Sequence, residues 1–504
     1  MALDEEINPL GGVSEPVNEP AADILDTGRA GGLVMRGAVL RLAGFVLGGV
    51  LTAVSAILLT RHLGVARFGQ YATIVALATL VAQLTEGGLT GLATRDFAVA
   101  TPERRARLMA DRLGLQFATT LVAILICGIF ALAAGYGTVR TWGTLAAALG
   151  LGLAMLQVTV AVPLVAALRF GATSGLELAR QAILVFLTVT FVLLGAGLLP
   201  FLVALIPSSL ATLAATWLLA GRTVALRPAF NPRAWVALVR PAVVLSLATG
   251  VATIYVFTTQ ILTSLSSSPT QTGLFAASLR VFAVIASIPG LVVTSALPLL
   301  ARAARDDTDR LEFALRGLFE VALIAGVGVG VMLVVGASPI IEVIAGPRYT
   351  GAVGPLRIEG AAVLGTCLTP VWSLALVALH RHAALLICSL VALVVTAGLT
   401  LGLTPSIGAS GAAVATVAGE WVLAISLLVA LVAANRQLRP NPRRVAPRVA
   451  LAGGAALATM VLPISAAVQL VLALVIYTAI ILALRALPRE IWELVPARLQ
   501  RSRT

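Results

Sequence analysis

The chain has 504 residues, of which 59% are apolar and 11% are charged, whereas about a quarter of the residues of a soluble protein are charged. With a mean hydropathy of +1.02, the chain cannot hide its apolar surface from water, so we expect lipid to be its solvent. All 35 basic residues are arginine. This excludes a Walker A phosphate loop and a Schiff-base mechanism, because both need lysine. The net charge of +13 does not indicate nucleic-acid binding, because the arginines lie in short loops between apolar segments.

Residues 1–35 are predicted to form a disordered, acidic cytoplasmic tail. They combine seven acidic residues with glycine and proline, and they show little periodicity. They also lack a basic segment before an apolar run, so we expect no signal peptide. The acidic residues are Asp4, Glu5, Glu6, Glu15, Glu19, Asp23 and Asp26.

Fourteen apolar segments follow, each long enough to cross about 30 Å of hydrocarbon. Their predicted spans are 37–59, 71–94, 113–135, 143–167, 179–198, 199–219, 238–262, 273–300, 317–337, 356–379, 383–403, 411–433, 447–462 and 466–486. The arginines in the loops and the adjoining helix ends are divided 29 to 5 between the two sides, which favours a cytoplasmic N-terminus. We therefore predict a multi-pass protein of the inner (cytoplasmic) membrane with both termini in the cytoplasm. The last segment, 488–504, is a basic cytoplasmic tail.

An internal repeat links the second and eighth spans. Predicted helix 2 begins with Gly69-Gln70-Tyr71-Ala72, and predicted helix 8 begins with Gly273-Leu274-Phe275-Ala276. Each follows a short outside loop, and Arg95 or Arg302 closes the helix on the inner side. Two parallel repeats are a common plan of transporters, with the substrate path between them.

The repeat predicts how the chain is organised. We expect an all-α integral membrane protein of about 14 transmembrane helices. Residues 36–221 and 238–434 would form two six-helix lobes, and residues 447–487 would add two further helices. This organisation predicts a substrate path between the lobes.

No motif of a hydrolase or transferase is present, such as G-x-S-x-G or H-E-x-x-H. The outside loops are also too short for a catalytic domain, so we expect no enzyme activity and no cofactor. The three cysteines (Cys127, Cys367 and Cys388) fall in apolar segments and indicate small core residues. His380 and His382 have no third metal ligand nearby, so no metal site is expected.

Arginines inside the membrane are candidates for substrate binding, since a charge there is costly unless it is paired or hydrated. Arg280 lies seven residues into predicted helix 8, about 10 Å from its outer end. Arg41 lies at the inner mouth of predicted helix 1. Because a guanidinium donates two parallel hydrogen bonds to phosphate, both arginines are predicted to bind an anionic headgroup in a hydrated cavity. The alternatives are an internal ion pair for Arg280 and a snorkelling side chain for Arg41.

Three carboxylates are candidates either for ion coupling or for hydrogen bonds between packed helices. Glu86 lies toward the inner end of predicted helix 2, and Glu420 lies near the middle of predicted helix 12. Glu320 lies near the inner end of predicted helix 9. The sequence leaves both roles open for all three residues.

Several stretches resemble the polysaccharide-biosynthesis flippases of the multidrug/oligosaccharidyl-lipid/polysaccharide exporter superfamily. Three are similar to the family's start of helix 2, its connection between helices 9 and 10, and its start of helix 12: ILLTRHLGVARFGQYATIVALATLVAQLTEGGL (57–89), PIIEVIAGPRYTGAVGPLRI (339–358) and PSIGASGAAVATVAGE (405–420). Residues 273–302 fit the family's helix 8, in which a basic residue often occupies the place of Arg280. The resemblance covers about residues 37–434. Glu86 departs from the pattern, since the family often has aspartate there.

The resemblance implies a flippase that moves a polyprenyl-pyrophosphate-linked oligosaccharide or polysaccharide precursor across the membrane by alternating access. Such a transporter serves the cell envelope, for example in lipopolysaccharide synthesis. The expected partners are the lipid-linked glycan, membrane lipids and the glycan assembly machinery, without nucleic acid. The alternatives are a lipid II flippase, a multidrug or cation antiporter of the same superfamily, and a membrane-embedded sugar polymerase or ligase.

Overall fold

The computed structural model describes residues 29–240, 243–295 and 308–486, and these residues form helices and no strands. Numbered in chain order, the helices are α1 (Arg29–Glu86), α2 (Leu89–Val99), α3 (Pro102–Ala133), α4 (Thr138–Val160), α5 (Val162–Ala166), α6 (Phe170–Leu193), α7 (Leu198–Val203), α8 (Leu205–Ala220), α9 (Pro232–Val239), α10 (Val243–Ser266), α11 (Pro269–Ser295), α12 (Thr308–Ile344), α13 (Val353–Gly360), α14 (Val363–Ala378), α15 (His382–Ala434), α16 (Ala446–Leu457) and α17 (Ala466–Ala483). The predicted all-α class is confirmed. Most of the predicted acidic tail, the whole basic tail and Arg302 lie outside the described residues.

Many of these helices are long and apolar enough to cross a membrane. In the described ranges nine meet this criterion, and a tenth does so if Pro347–Gly360 and Val363–Ala378, which are bent by 43°, form one span. Two of the nine, Leu47–Val99 and His382–Ala434, have 53 residues each, or about 80 Å at 1.5 Å per residue. That is more than twice the hydrocarbon thickness, so each has room for two crossings. The total of fourteen spans remains a prediction.

Glycine interrupts both of these long stretches. Gly64 in α1 has φ 71° and ψ 173°, and Gly408 in α15 has φ 57° and ψ −133°. Positive φ is readily adopted by glycine because it has no Cβ to clash with the backbone. Gly64 lies between predicted spans 1 and 2, and Gly408 between predicted spans 11 and 12. The chain therefore changes direction where the sequence predicted a loop.

The helix is broken within the predicted span 71–94, close to the inner end of the span. Helix α1 ends at Glu86, because Gly87 and Gly88 adopt φ values of 60° and 70°. A separate short helix, α2, then begins at Leu89. The break was not predicted, because it depends on the φ angles of the two glycines and not on the polarity of the segment.

The helices pack in two groups that meet along α1. In the first group α1 packs on α6, and α4 packs on α3 and α8. In the second group α10 packs on α15, and α14 packs on α12 and α15. Helix α1 also contacts α10 and α11 of the second group, and α17 lies against α12. The boundaries of the two lobes remain a prediction, but the contacts of α1 define where the two groups face each other.

Candidate substrate cavity

A cavity of about 540 Å³ lies between the second part of α1 and helices α10, α11, α14 and α15. Much of its lining is apolar, including Phe68 and Phe257. Its polar lining residues are Tyr71, Thr79, Tyr255, Thr259, Gln260, Arg280, Thr366, Thr396, Thr416 and Glu420. A hydroxyl-rich surface that also holds one cation suits a polar, anionic headgroup better than an apolar ligand.

Arg280 is the one cation among the described residues that line this cavity. It lies on α11 and is partly buried. Within the described part of the chain its guanidinium makes no hydrogen bond or ion pair, and Tyr71 of α1 lies within electrostatic range of it. The internal ion pair that the sequence left open for Arg280 is therefore not formed with any described residue. Its five N–H donors are available to a ligand.

Glu420 lines the same cavity but is held by other groups. The Tyr255 hydroxyl donates a hydrogen bond of 2.8 Å to Oε1 of Glu420, and the Thr366 hydroxyl donates one of 2.8 Å to Oε2. Gly419 leaves room for this arrangement, because a Cβ there would collide with the Thr396 hydroxyl and lie 3.1 Å from the Tyr255 hydroxyl. Both carboxylate oxygens thus accept a hydrogen bond from a neutral donor, while Arg280 stays apart.

The two repeat glycines lie against each other at one end of the cavity. We call this the outer end and the opposite end the inner end, following the predicted orientation. A Cβ on Gly69 would lie 2.6 Å from the backbone nitrogen of Gly273, and a Cβ on Gly273 would collide with the carbonyl of Val65. The backbones of α1 and α11 therefore touch. The sequence repeat marks this crossing of the two helix groups.

Further contacts between the two groups cover the outer end. Phe68 and Tyr349 are fully buried, with ring centroids 6.2 Å apart. The Tyr349 hydroxyl donates to the carbonyl of Thr60 at 3.1 Å, and Arg61 donates to the carbonyl of Val343 at 2.6 Å.

At the inner end the two groups also touch. The Ser246 hydroxyl of α10 donates to the carbonyl of Gly87, which follows α1, at 2.7 Å. Contacts between the groups therefore exist at both ends of the cavity.

Comparison with known proteins identifies the family. A family model described as "Polysaccharide biosynthesis protein" matches residues 58–354, which is more than half of the chain. The chain belongs to this family. No curated protein matches it.

Solved structures with the same fold are transporters. The inward closed conformation of the lipid II flippase MurJ is 10% identical, with a TM-score of 0.73 over 88% of this chain and 98% of that one. An inward-facing multidrug resistance MATE transporter of the MOP superfamily is 13% identical, with a TM-score of 0.60 over 80% of this chain and 98% of that one. This member of the polysaccharide biosynthesis family thus has the fold of a flippase-type, multi-pass membrane transporter.

In this family member Glu86 lies outside the cavity and caps a helix. Its Oε2 accepts from the Gly88 N–H at 2.8 Å, and its Oε1 accepts from the Thr90 N–H at 2.7 Å. Both donors belong to the start of α2, where backbone N–H groups lack partners within the helix. Arg112 of α3 lies 3.6 Å from the same carboxylate and is 4% exposed. Arg112 was not predicted as a site residue, because it stands one residue before the predicted span 113–135.

The remaining predicted residues are also placed outside the cavity or outside the described side chains. Glu320 forms an ion pair with Arg316, one turn away on α12, at 3.4 Å. The backbone of Arg41 belongs to α1, but its side chain lies outside the described part of the chain. Of the predicted site residues, the structure brings Arg280 and Glu420 to one cavity.

Two further polar residues of the second group were not predicted as site residues from the sequence. Glu359 is fully buried and accepts a hydrogen bond of 3.3 Å from Ser278, two residues before Arg280. Its signal was available, because it is a carboxylate inside the predicted span 356–379. Tyr255 gave no such signal, since its role depends on α10 packing against α15.

Proposed function

We propose that this protein is a flippase that moves a polyprenyl-pyrophosphate-linked oligosaccharide or polysaccharide precursor across the cytoplasmic membrane by alternating access. One observation carries the proposal: Arg280 faces the cavity between the two helix groups without a partner among the described residues. Membership of the polysaccharide biosynthesis family and the transporter fold support it. Both termini would then lie in the cytoplasm, as the arginine distribution predicts.

The chemistry of the cavity suits the headgroup of such a lipid. The guanidinium of Arg280 would bind a diphosphate through paired, charge-assisted hydrogen bonds. Hydroxyls and the amide of Gln260 would bind sugar hydroxyls, and Glu420 would accept from them. A cavity of about 540 Å³ is within the usual range for one small ligand. It would therefore enclose the diphosphate and its first sugars, while the lipid tail remains in the bilayer.

Transport also requires that the cavity open to each side in turn. The contacts at the two ends are of a kind that can separate. At the outer end they include the crossing of Gly69 and Gly273 and one hydrogen bond from Tyr349. At the inner end they include one hydrogen bond from Ser246. We infer that these contacts break and re-form alternately during the cycle.

The test is to replace Arg280 by alanine and to measure the polysaccharide at the cell surface. We expect Arg280→Ala to abolish export and to cause accumulation of the lipid-linked saccharide, while protein level and membrane insertion stay normal. Arg316→Ala is the matched control, because it removes an arginine that is exposed and paired on the surface of α12. It should export normally. Normal export by Arg280→Ala would remove Arg280 from the site and refute the proposal.

The accumulated molecule distinguishes the alternatives. Mass spectrometry of the lipid extract would identify the sugars on the pyrophosphate carrier. Accumulation of lipid II, with its peptide-bearing sugar, would assign the chain to peptidoglycan synthesis. Accumulation of no lipid-linked saccharide, combined with greater sensitivity to cationic drugs, would favour an antiporter.

A further inference from the structure

We propose that a groove at the inner end of the second helix group binds an anionic phospholipid of the cytoplasmic leaflet. The groove has a volume of about 680 Å³ and is formed by α12, α14, α15 and the segment after α15. Its wall is apolar, and its mouth is formed by residues 439–443. This inference is independent of the proposed transport function.

The wall of the groove is suited to an acyl chain. Phe319 and Trp372 stack with ring centroids 5.7 Å apart, and Leu368 and Leu428 also line it. The polar atom of Trp421 is already satisfied, because its Nε1 donates to the carbonyl of Ala361 at 3.0 Å. The part of the groove within the helices therefore has no free hydrogen-bonding group to hold a sugar or a peptide. A hydrocarbon chain is the ligand that such a wall can bind.

The mouth of the groove carries positive charge without compensation. Arg439 and Arg443 line it, and both are exposed. The sequence has no acidic residue from 421 to 486, and neither arginine forms an ion pair with any described residue. Basic pockets between transmembrane helices on the cytoplasmic side attract anionic lipid headgroups. Two arginines above an apolar groove thus match a lipid phosphate above its acyl chain.

The occupant of this groove would be a resident lipid rather than the transported headgroup. The groove and the substrate cavity share no lining residue. Glu420 lines the cavity, and the next residue, Trp421, lines the groove. Helix α15 thus separates the two spaces. A lipid that binds in the groove would contact the helix that carries Glu420 without entering the cavity.

The test is to measure phospholipid retained by the purified full-length protein by native mass spectrometry. Phosphatidylglycerol is compared with phosphatidylcholine at equal concentration. The double variant Arg439→Gln, Arg443→Gln should retain phosphatidylglycerol about tenfold less than the wild type. The matched control, Arg436→Gln with Arg444→Gln, removes the same charge from exposed neighbours outside the groove and should retain it normally. Equal loss in both double variants would overturn the proposal, because it would show general attraction to a basic surface.

A second pair of variants tests the apolar part of the groove. Ile425→Trp would fill the groove, whereas Val429→Trp lies one turn further along α15, is exposed and does not line the groove. We expect Ile425→Trp alone to reduce lipid retention. If glycerol phosphate displaces the lipid at equal concentration, the acyl chain contributes nothing to the affinity for the groove. The proposal then fails.

A different occupant would also overturn the proposal. The segment before residue 29 carries seven acidic residues and could compete for the two arginines through charge. If the full chain retains no phosphatidylglycerol and a variant without residues 1–28 does retain it, the acidic segment occupies the groove in place of a lipid. Equal retention by both proteins would support a lipid as the occupant.

Discussion

The two helix groups differ in the partners of their charged residues. In the first group Glu86 and Arg112 lie 3.6 Å apart, and the carboxylate also caps α2. In the second group Arg280 and Glu420 line one cavity, and neither is bonded to the other. A buried charge is costly unless it is compensated, so a paired charge indicates a structural role and an unpaired one indicates a ligand. The comparison indicates a structural role for the charge pair of the first group and supports the proposal that the second group binds the headgroup.

The largest effect should come from breaking the pair of the first group. Glu86→Ala removes two hydrogen bonds from the start of α2 and leaves Arg112 buried without its carboxylate. We expect the free energy of unfolding to fall by about 3–5 kcal/mol. Denaturant unfolding of the purified protein in detergent would measure this change.

A double variant provides the control for this prediction. Arg112→Leu combined with Glu86→Ala removes both charges, so at least about 2 kcal/mol of the loss should be recovered. Stability of Glu86→Ala close to that of the wild type would show that the pair has no structural role.

A smaller effect is expected at Glu420 in the second group. Thr366→Val removes one of the two side-chain hydrogen bonds to its carboxylate. We expect a loss of about 1–2 kcal/mol in the free energy of unfolding, because the other oxygen stays bonded to Tyr255. Thr369→Val is the matched control on the same helix, since its hydroxyl bonds to the carbonyl of Gly365 in its own helix. Equal losses in the two variants would mean that the hydrogen bond to Glu420 contributes no more to stability than a hydrogen bond within one helix.

The sequence predicted the features that depend on local patterns. Apolar length predicted the helices, and the position of Arg280 inside an apolar span predicted a residue of the cavity. The Gly-aromatic-Ala repeat predicted a correspondence between two helices, and the structure places Gly69 against Gly273. These features could be found because they are periodic or because they break a uniform apolar background.

Features that depend on packing between distant helices could not be found in this way. The hydrogen bond from Tyr255 to Glu420 joins residues 165 positions apart. Arg112 is buried because α3 packs against the end of α1, although its position before a span indicated an exposed residue. The end of α1 at Glu86 was missed because glycine breaks a helix through its φ angle and not through its polarity.

The smallest change in stability is expected for Arg280, although its loss should have the largest effect on export. Arg280→Gln removes a charge that is only partly buried and has no partner among the described residues, so the free energy of unfolding should change by less than about 0.5 kcal/mol. Inorganic pyrophosphate should raise the melting temperature of the wild type and leave that of Arg280→Gln unchanged, because binding to the folded state stabilises it. Arg316→Gln, on the surface of α12, should respond to pyrophosphate as the wild type does. A loss of several kcal/mol in Arg280→Gln would place Arg280 in the same structural class as Glu86 and would remove the difference between the two helix groups.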